Sequence, residues 1–231
     1  NFELDKTIND SWLTYGIPSA LGWELMQDIY VNTLDQFNAE SILENYNMGK
    51  MDIIPTSLQR QVAKKKNMQF YFNGKVSVEN ELYTISSNLY NTKSGKIVSE
   101  KIFKGEDIFK LFDEISYSVR IDMEIPQAHL DENIDLPASE TITNSFEAFE
   151  NYIQGMIIQE ENGEEAALLY EKAVEIDETF AMAYFMLQDA YVMNNQGDKR
   201  LGAIEKVLEY DYKLPERMKF LPKVMYYWET K

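Results

Sequence analysis

The sequence predicts an α+β half, with a three-strand antiparallel meander in a mixed sheet with helices, followed by an all-α half built of paired helices. Three observations point there. Apolar residues alternate with period two between positions 68 and 103, and small and aromatic residues recur at helical spacing between 166 and 191. Between them, residues 126–140 hold two prolines and no apolar periodicity. The expected domains are therefore residues 1–125, a linker over 126–142 and a helical domain over 143–231.

A chain of 231 residues with 45% apolar residues is long enough to fill two ordinary cores. Cysteine is absent, which excludes a disulfide frame, a thiolate metal site and a cysteine nucleophile. No apolar run approaches the roughly 20 residues of a spanning helix, so no membrane insertion is expected. The chain opens at Asn1 without Met and without a visible signal peptide, as a processed or excised fragment would. A net charge of −17 argues against nucleic acid, because phosphate-backbone binding depends on Lys and Arg releasing counterions. Residues 1–126 carry net −5 and residues 127–231 net −12, so the second half favours neutral or basic partners.

Gly16-Ile17-Pro18 predicts a helix beginning near Pro18, since proline suits a first turn where its missing N–H would be unpaired anyway. Ile17, Leu21, Leu25 and Ile29 supply its buried side, and Trp12 and Trp23 read as packing residues. Ser41-Ile42-Leu43, within residues 40–46, is a short apolar segment expected as a strand. Asp52-Ile53-Ile54-Pro55-Thr56-Ser57 prepares a helix through Leu58 and Val62. It ends in Lys64-Lys65-Lys66, a triplet that complements the helix dipole. Met68, Phe70, Phe72, Val76 and Val78 then alternate in a first meander strand. Tyr83, Ile85 and Leu89 form the second, and Ile97, Ser99, Lys101 and Phe103 the third. Asn80 tolerates positive φ in the first turn and Gly95 adopts it freely in the second. Asp107 opens a helix whose Ile108, Leu111, Phe112, Ile115, Val119 and Met123 make one apolar stripe, expected to lie across the sheet.

Four stretches of this half carry a resemblance. Asp10-Ser11-Trp12-Leu13 with Gly16-Ile17-Pro18, Phe72-Asn73-Gly74-Lys75-Val76, Asn91-Thr92-Lys93-Ser94-Gly95-Lys96-Ile97 and Asp107-Ile108-Phe109-Lys110-Leu111-Phe112-Asp113 together resemble the amino-terminal α/β domain of TolB-like proteins. In bacterial signalling and regulatory proteins such a domain often precedes tetratricopeptide repeats. The resemblance implies an apolar strand just before Asn1. Unless Phe2 and Leu4 supply its remnant, one sheet edge is open to an added strand.

The helical half is expected to begin at Thr143 or Asn144, with Glu147 three residues beyond Asn144 in a capping-box arrangement. Phe146, Phe149, Tyr152, Ile153, Met156 and Ile157 populate the first helix, and Gly155 lets a partner helix approach. Further helices are expected over 166–176, 180–193 and past Ala203, Val207 and Tyr210. A last one starts at Pro215 and runs to Trp228. Ala166, Tyr170 and Ala173 followed by Phe180, Ala181, Ala183, Tyr184 and Leu187 resemble the junction between two tetratricopeptide repeats, with Glu178 where the family usually has proline. The resemblance implies a groove lined by the first helix of each repeat. It nominates Phe149, Tyr152 and Met156 on one repeat, and Met182, Phe185 and Asp189 on the next, as partner-binding residues. The last helix has no following partner, so either the chain continues or Tyr226, Tyr227 and Trp228 meet another copy.

No constellation for chemistry stands out. His129, the one histidine, lies in a proline-flanked stretch without a serine or acid at diagnostic spacing. Residues 160–165 lack the ligand alternation of a calcium loop, and Asn73-Gly74-Lys75 lacks a phosphate-cradling glycine loop. No catalytic residue, cofactor or metal is expected. The sequence therefore points to a non-enzymatic protein- or peptide-binding or sensor module of a bacterial signalling or regulatory protein, with an extracytoplasmic setting favoured over a cytoplasmic one. One alternative is a small-molecule sensor with its site in the α+β half or in a crevice between the halves lined by Trp12, Tyr15 or Trp23. Another is a structural oligomerisation unit using the sheet edge or the last helix.

Overall fold

A mixed α/β architecture is seen in the computed structural model, which describes residues 2–6, 8–34, 36–44, 53–132 and 135–231. The chain divides into two compact units, Asn1–Leu25 with Tyr30–Ile134, and Met26–Ile29 with Asp135–Lys231.

The first unit contains β1 (Phe2–Leu4), α1 (Leu13–Met26), α2 (Gln36–Glu44), α3 (Thr56–Lys65), β2 (Phe70–Glu79), β3 (Leu82–Asn91), β4 (Ile97–Gly105), α4 (Ile108–Asp122) and α5 (Gln127–Glu132). Its four-stranded sheet runs β1-β2-β3-β4, with β1 parallel to β2 and the other neighbours antiparallel. Phe2 and Leu4 thus supply the strand ahead of the first helix, opposite Gly74 and Val76. Gly74 makes this possible, because a Cβ there would lie 2.5 Å from the Phe2 ring and 2.2 Å from the Ser86 carbonyl oxygen. Phe2 is buried in that space and meets Phe72 edge-on at 5.5 Å. The register sets Val76 opposite Ile85 and Phe72 opposite Leu89, so alternation puts them on one apolar face. Both Asn80 and Glu81 adopt positive φ in the tight turn, and Gly95 does so in the next.

On that sheet, α4 packs against β3 and β4 through Ile108, Leu111, Phe112, Ile115 and Val119, all buried. Asp107 caps α4 by accepting from the N–H groups of Phe109 and Lys110 at 3.0 and 3.3 Å. At its other end Asp122 accepts from Lys101 Nζ at 2.6 Å and from Ser99 Oγ at 2.6 Å. The α3 helix faces the strand ends: Gln59 Oε1 accepts from Asn73 Nδ2 at 3.1 Å, and Arg60 donates to the carbonyls of Thr92 and Lys93 at 2.9 and 2.6 Å.

Two elements of the first unit differ from expectation. The first helix begins at Leu13, not near Pro18, which lies inside it. Turn bonds from Leu13 N to Asp10 O and from Gly16 N to Trp12 O start it early, and full burial of Leu13 and Ile17 on one side outweighs the bond that Pro18 cannot donate. The same shift leaves Ile29 exposed beyond the helix end. Residues 41–43 are helical within α2, where a strand was expected, and adjacent Ile42 and Leu43 are both buried. Successive strand residues would point to opposite faces, whereas here both join a cluster with Ile54 and Val62. Residues 45, 46 and 52 of the stretches discussed there lie outside the described residues.

The described elements of the second unit are helices: α6 (Ala138–Thr141), α7 (Phe146–Ile158), α8 (Gly163–Ile176), α9 (Ala181–Met193), α10 (Gly197–Glu209) and α11 (Phe220–Thr230), with 3₁₀ turns at Asp211–Lys213 and Glu216–Met218. Residues 126–142, expected as linker, carry α5 and α6, and Leu136 exchanges two hydrogen bonds with the Gln27 side chain at 2.9 and 3.0 Å. From α7 to α11 each helix packs on the next. Ser145, not Asn144, caps α7 by accepting from Ala148 N at 3.2 Å. Asn162 and Glu165 close a reciprocal box at the start of α8. The last helix starts at Phe220, because extended backbone at Pro215 and a 3₁₀ turn occupy the expected first turn.

Candidate binding surface of the helical unit

Small residues bring α7, α8 and α9 together. Ala166, Ala173 and Ala183 are fully buried, and a Cβ on Gly155 would sit 2.6 Å from the Tyr170 ring. Into the space so left go Tyr152, Tyr170 and Phe180, with Tyr152 5.9 Å from Tyr170 and 5.0 Å from Phe180. The Tyr170 hydroxyl donates to Gln159 Oε1 at 2.6 Å, and Gln159 Nε2 reaches Met193 Sδ at 3.8 Å, which joins the C-terminal ends of α7 and α9. Burial, with the Asp189 carboxylate nearby, holds the Tyr170 phenol far above its ordinary range.

These contacts separate the six nominated residues. Phe149 and Tyr152 are fully buried; they fill the seam between helices and do not face an open groove, and Met182 is nearly buried at the start of α9. The physical reason is that an aromatic beside Gly155 and Ala166 closes the interhelical gap at no cost in exposed apolar area. Met156, Phe185 and Asp189 are half-buried. On α9, Met182, Phe185 and Asp189 share a helical stripe with half-buried Met186 and exposed Met193. Met186 and Met193 were missed, although they fall four and eleven residues after Met182 in the same periodicity. Apolar residues surround α9 on every side, and α8 and α10 cover two of them.

Charge around the stripe is arranged by short pairs. Arg200 Nε donates to Gln188 Oε1 at 3.1 Å and pairs with Glu229, while Tyr191 donates to Glu171 at 2.8 Å beneath Lys199. Burial pushes the Asp189 carboxyl above its ordinary range, against a Gln188 hydrogen bond and the Arg200 charge that pull it down. Asp177, between α8 and α9, is different. Burial raises its carboxyl, but hydrogen bonds from Thr143 and Thr179 and the Lys213 charge outweigh that and hold it low.

His129 lies in α5, its ring edge-on to Tyr30 at 4.8 Å. Lys75 pairs with Glu3 at 3.0 Å. Lys64 and Lys65 occupy the last turn of α3. Among the described residues no group of three or more His, Cys, Asp or Glu side chains is placed to hold a metal ion, and no helix is long and apolar enough to cross a membrane. Compared with known proteins, the chain matches no protein-family model, and no curated protein matches it.

Proposed function

We propose that the chain is a non-enzymatic binding module whose stacked helices dock a neutral-to-basic protein or peptide segment. The helix hairpins are tetratricopeptide-like and the first unit TolB-like in this proposal, as in a bacterial signalling or regulatory protein. The observation that carries it is the stripe on α9: Met193 is exposed and Phe185 and Met186 are half-buried on a helix apolar all round, with the half-buried Asp189 among them. Methionine and aromatic side chains adapt to apolar anchors, and a basic group beside Asp189 would offset the cost of its burial. The excess of acid in this half draws in such a segment.

The test is fluorescence anisotropy against a peptide library graded in charge. Basic-apolar peptides are expected to bind, and Phe185→Ala with Met193→Ala to weaken them about tenfold or more. A library without binders, or binders indifferent to that double change, overturns the proposal. A second proposal, self-association through α11, is favoured by the exposure of Phe220 at 73% and Trp228 at 76%. Sedimentation over a concentration series tests it: a monomer throughout rejects it, and a dimer dissociated by Trp228→Ala supports it.

A further inference from the structure

In the first unit, a pocket of about 180 Å³, partly open to solvent, lies among the apolar face of the sheet, α1, α3 and α4. Leu21 and Leu25 of α1, Val62 of α3, Phe72 and Leu89 of the sheet and Val119 of α4 are among its walls. Trp12, Tyr15 and Trp23, the aromatics expected around a small-molecule pocket, are not among its described lining residues. Trp12 is instead buried as packing, and Tyr15 donates to Glu40 at 3.2 Å.

Apolar walls left facing water are costly, so an apolar molecule that covers them is favoured. Water that enters gains little there, because a well-held water needs two to four polar partners. Among mostly apolar walls stand four polar side chains, Asn32, Thr33, Gln59 and Tyr71; Tyr71 stacks on Tyr90 at 4.7 Å, and Gln59 and Thr33 are turned to bonds of their own. Gln59 donates to the Ile54 carbonyl at 2.6 Å and accepts from Asn73, and Thr33 donates to the Gly22 carbonyl at 3.4 Å. No Asp, Glu, Lys, Arg or His is among the described lining residues, so a charged group would meet no counter-charge on these walls. The pocket lies beside a hydrophobic cluster of α2 and α3, Ile42, Leu43, Ile54 and Val62, whose neighbours Leu34 and Ala39 are only partly buried. Apolar cavities of about 150 Å³ in other proteins stay dry and take up benzene.

We propose that this cavity is a binding site for a neutral, apolar small molecule of about one aromatic ring with a short alkyl tail. It is independent of peptide docking on the helices, since its walls belong to the first unit. The experiment titrates the full chain with toluene and with benzoate, following methyl NMR signals and the thermal midpoint. Toluene is expected to shift the methyls of Leu21, Leu25, Val62, Leu89 and Val119 saturably and to raise the midpoint. Benzoate should bind about tenfold more weakly or less. Ala63→Leu fills the cavity from α3. It should abolish the toluene response and raise the midpoint of the free protein; Ala39→Leu, from α2, replaces it if that variant does not fold. Absent or scattered methyl shifts with toluene, benzoate binding as well as toluene, or an undiminished toluene response in a folded filled variant would each overturn the assignment.

Discussion

Gly155 and Gly202 are both helical glycines, and their surroundings assign them opposite signs. A methyl on Gly155 would press on the Tyr170 ring, which is itself fully buried and held by its bond to Gln159. Gly155→Ala is therefore expected to cost about 1–3 kcal/mol in urea unfolding, the usual range for overpacking. Around Gly202 nothing lies within 4 Å, so Gly202→Ala should gain about 0.5–1 kcal/mol from helix propensity alone. Equal effects would mean that the close approach of α7 to α8 is not rigid. Asp177 supplies a pH test. Its folded-state carboxyl is held below the unfolded value of about 3.9, so its contribution is fully present above that value and fades as pH falls through the folded pKa. Asp177→Asn should lower the urea midpoint at neutral pH, and the gap to the parent should narrow as pH falls below the unfolded value of about 3.9. A gap that stays constant would remove ionisation from the explanation.

At the level of elements, caps and periods were the legible features. Asp107 stands just before an apolar stripe, which is how a capped helix announces itself, and its carboxylate binds two N–H groups of the first turn. Asp107→Ala should cost about 1 kcal/mol in unfolding, with Lys110→Ala, at an exposed ion pair, close to neutral. The meander was readable because ten-residue strands repeat an alternation often enough to be distinguished from chance. Three residues do not, which is why Ser41-Ile42-Leu43 gave the wrong period. Pro18 misled in another way. The local rule for proline is sound, but Leu13, Ile17 and Leu21 share a buried face that extends across it, and tertiary burial decided. Of the candidate site, the stripe on α9 was half visible through Met182, Phe185 and Asp189. Spacing alone does not say which of two apolar faces meets a neighbour, so Phe149 and Tyr152 were placed on the wrong one.

For the whole molecule the governing quantity is charge, which could be read without any structure. Thirty-nine acids against 22 bases leave a self-repulsion that folding intensifies, and the surface pairs, such as Lys206 with Glu209, are too exposed to offset it. Added salt screens charges farther apart than the Debye length, about 10 Å at 0.1 M and about 3 Å at 1 M. The urea midpoint should therefore rise as salt is added at neutral pH, and a flat or falling midpoint would place the net stabilisation in ion pairs instead. The peptide docking proposed above would feel the same field with the opposite sign. Attraction between the acidic helices and a basic segment is screened by the same ions, so affinity should fall over the salt range that steadies the fold. Measuring both on one preparation separates the two contributions: a binder that survives high salt is held by Phe185 and the methionines, and one that is lost is held by charge.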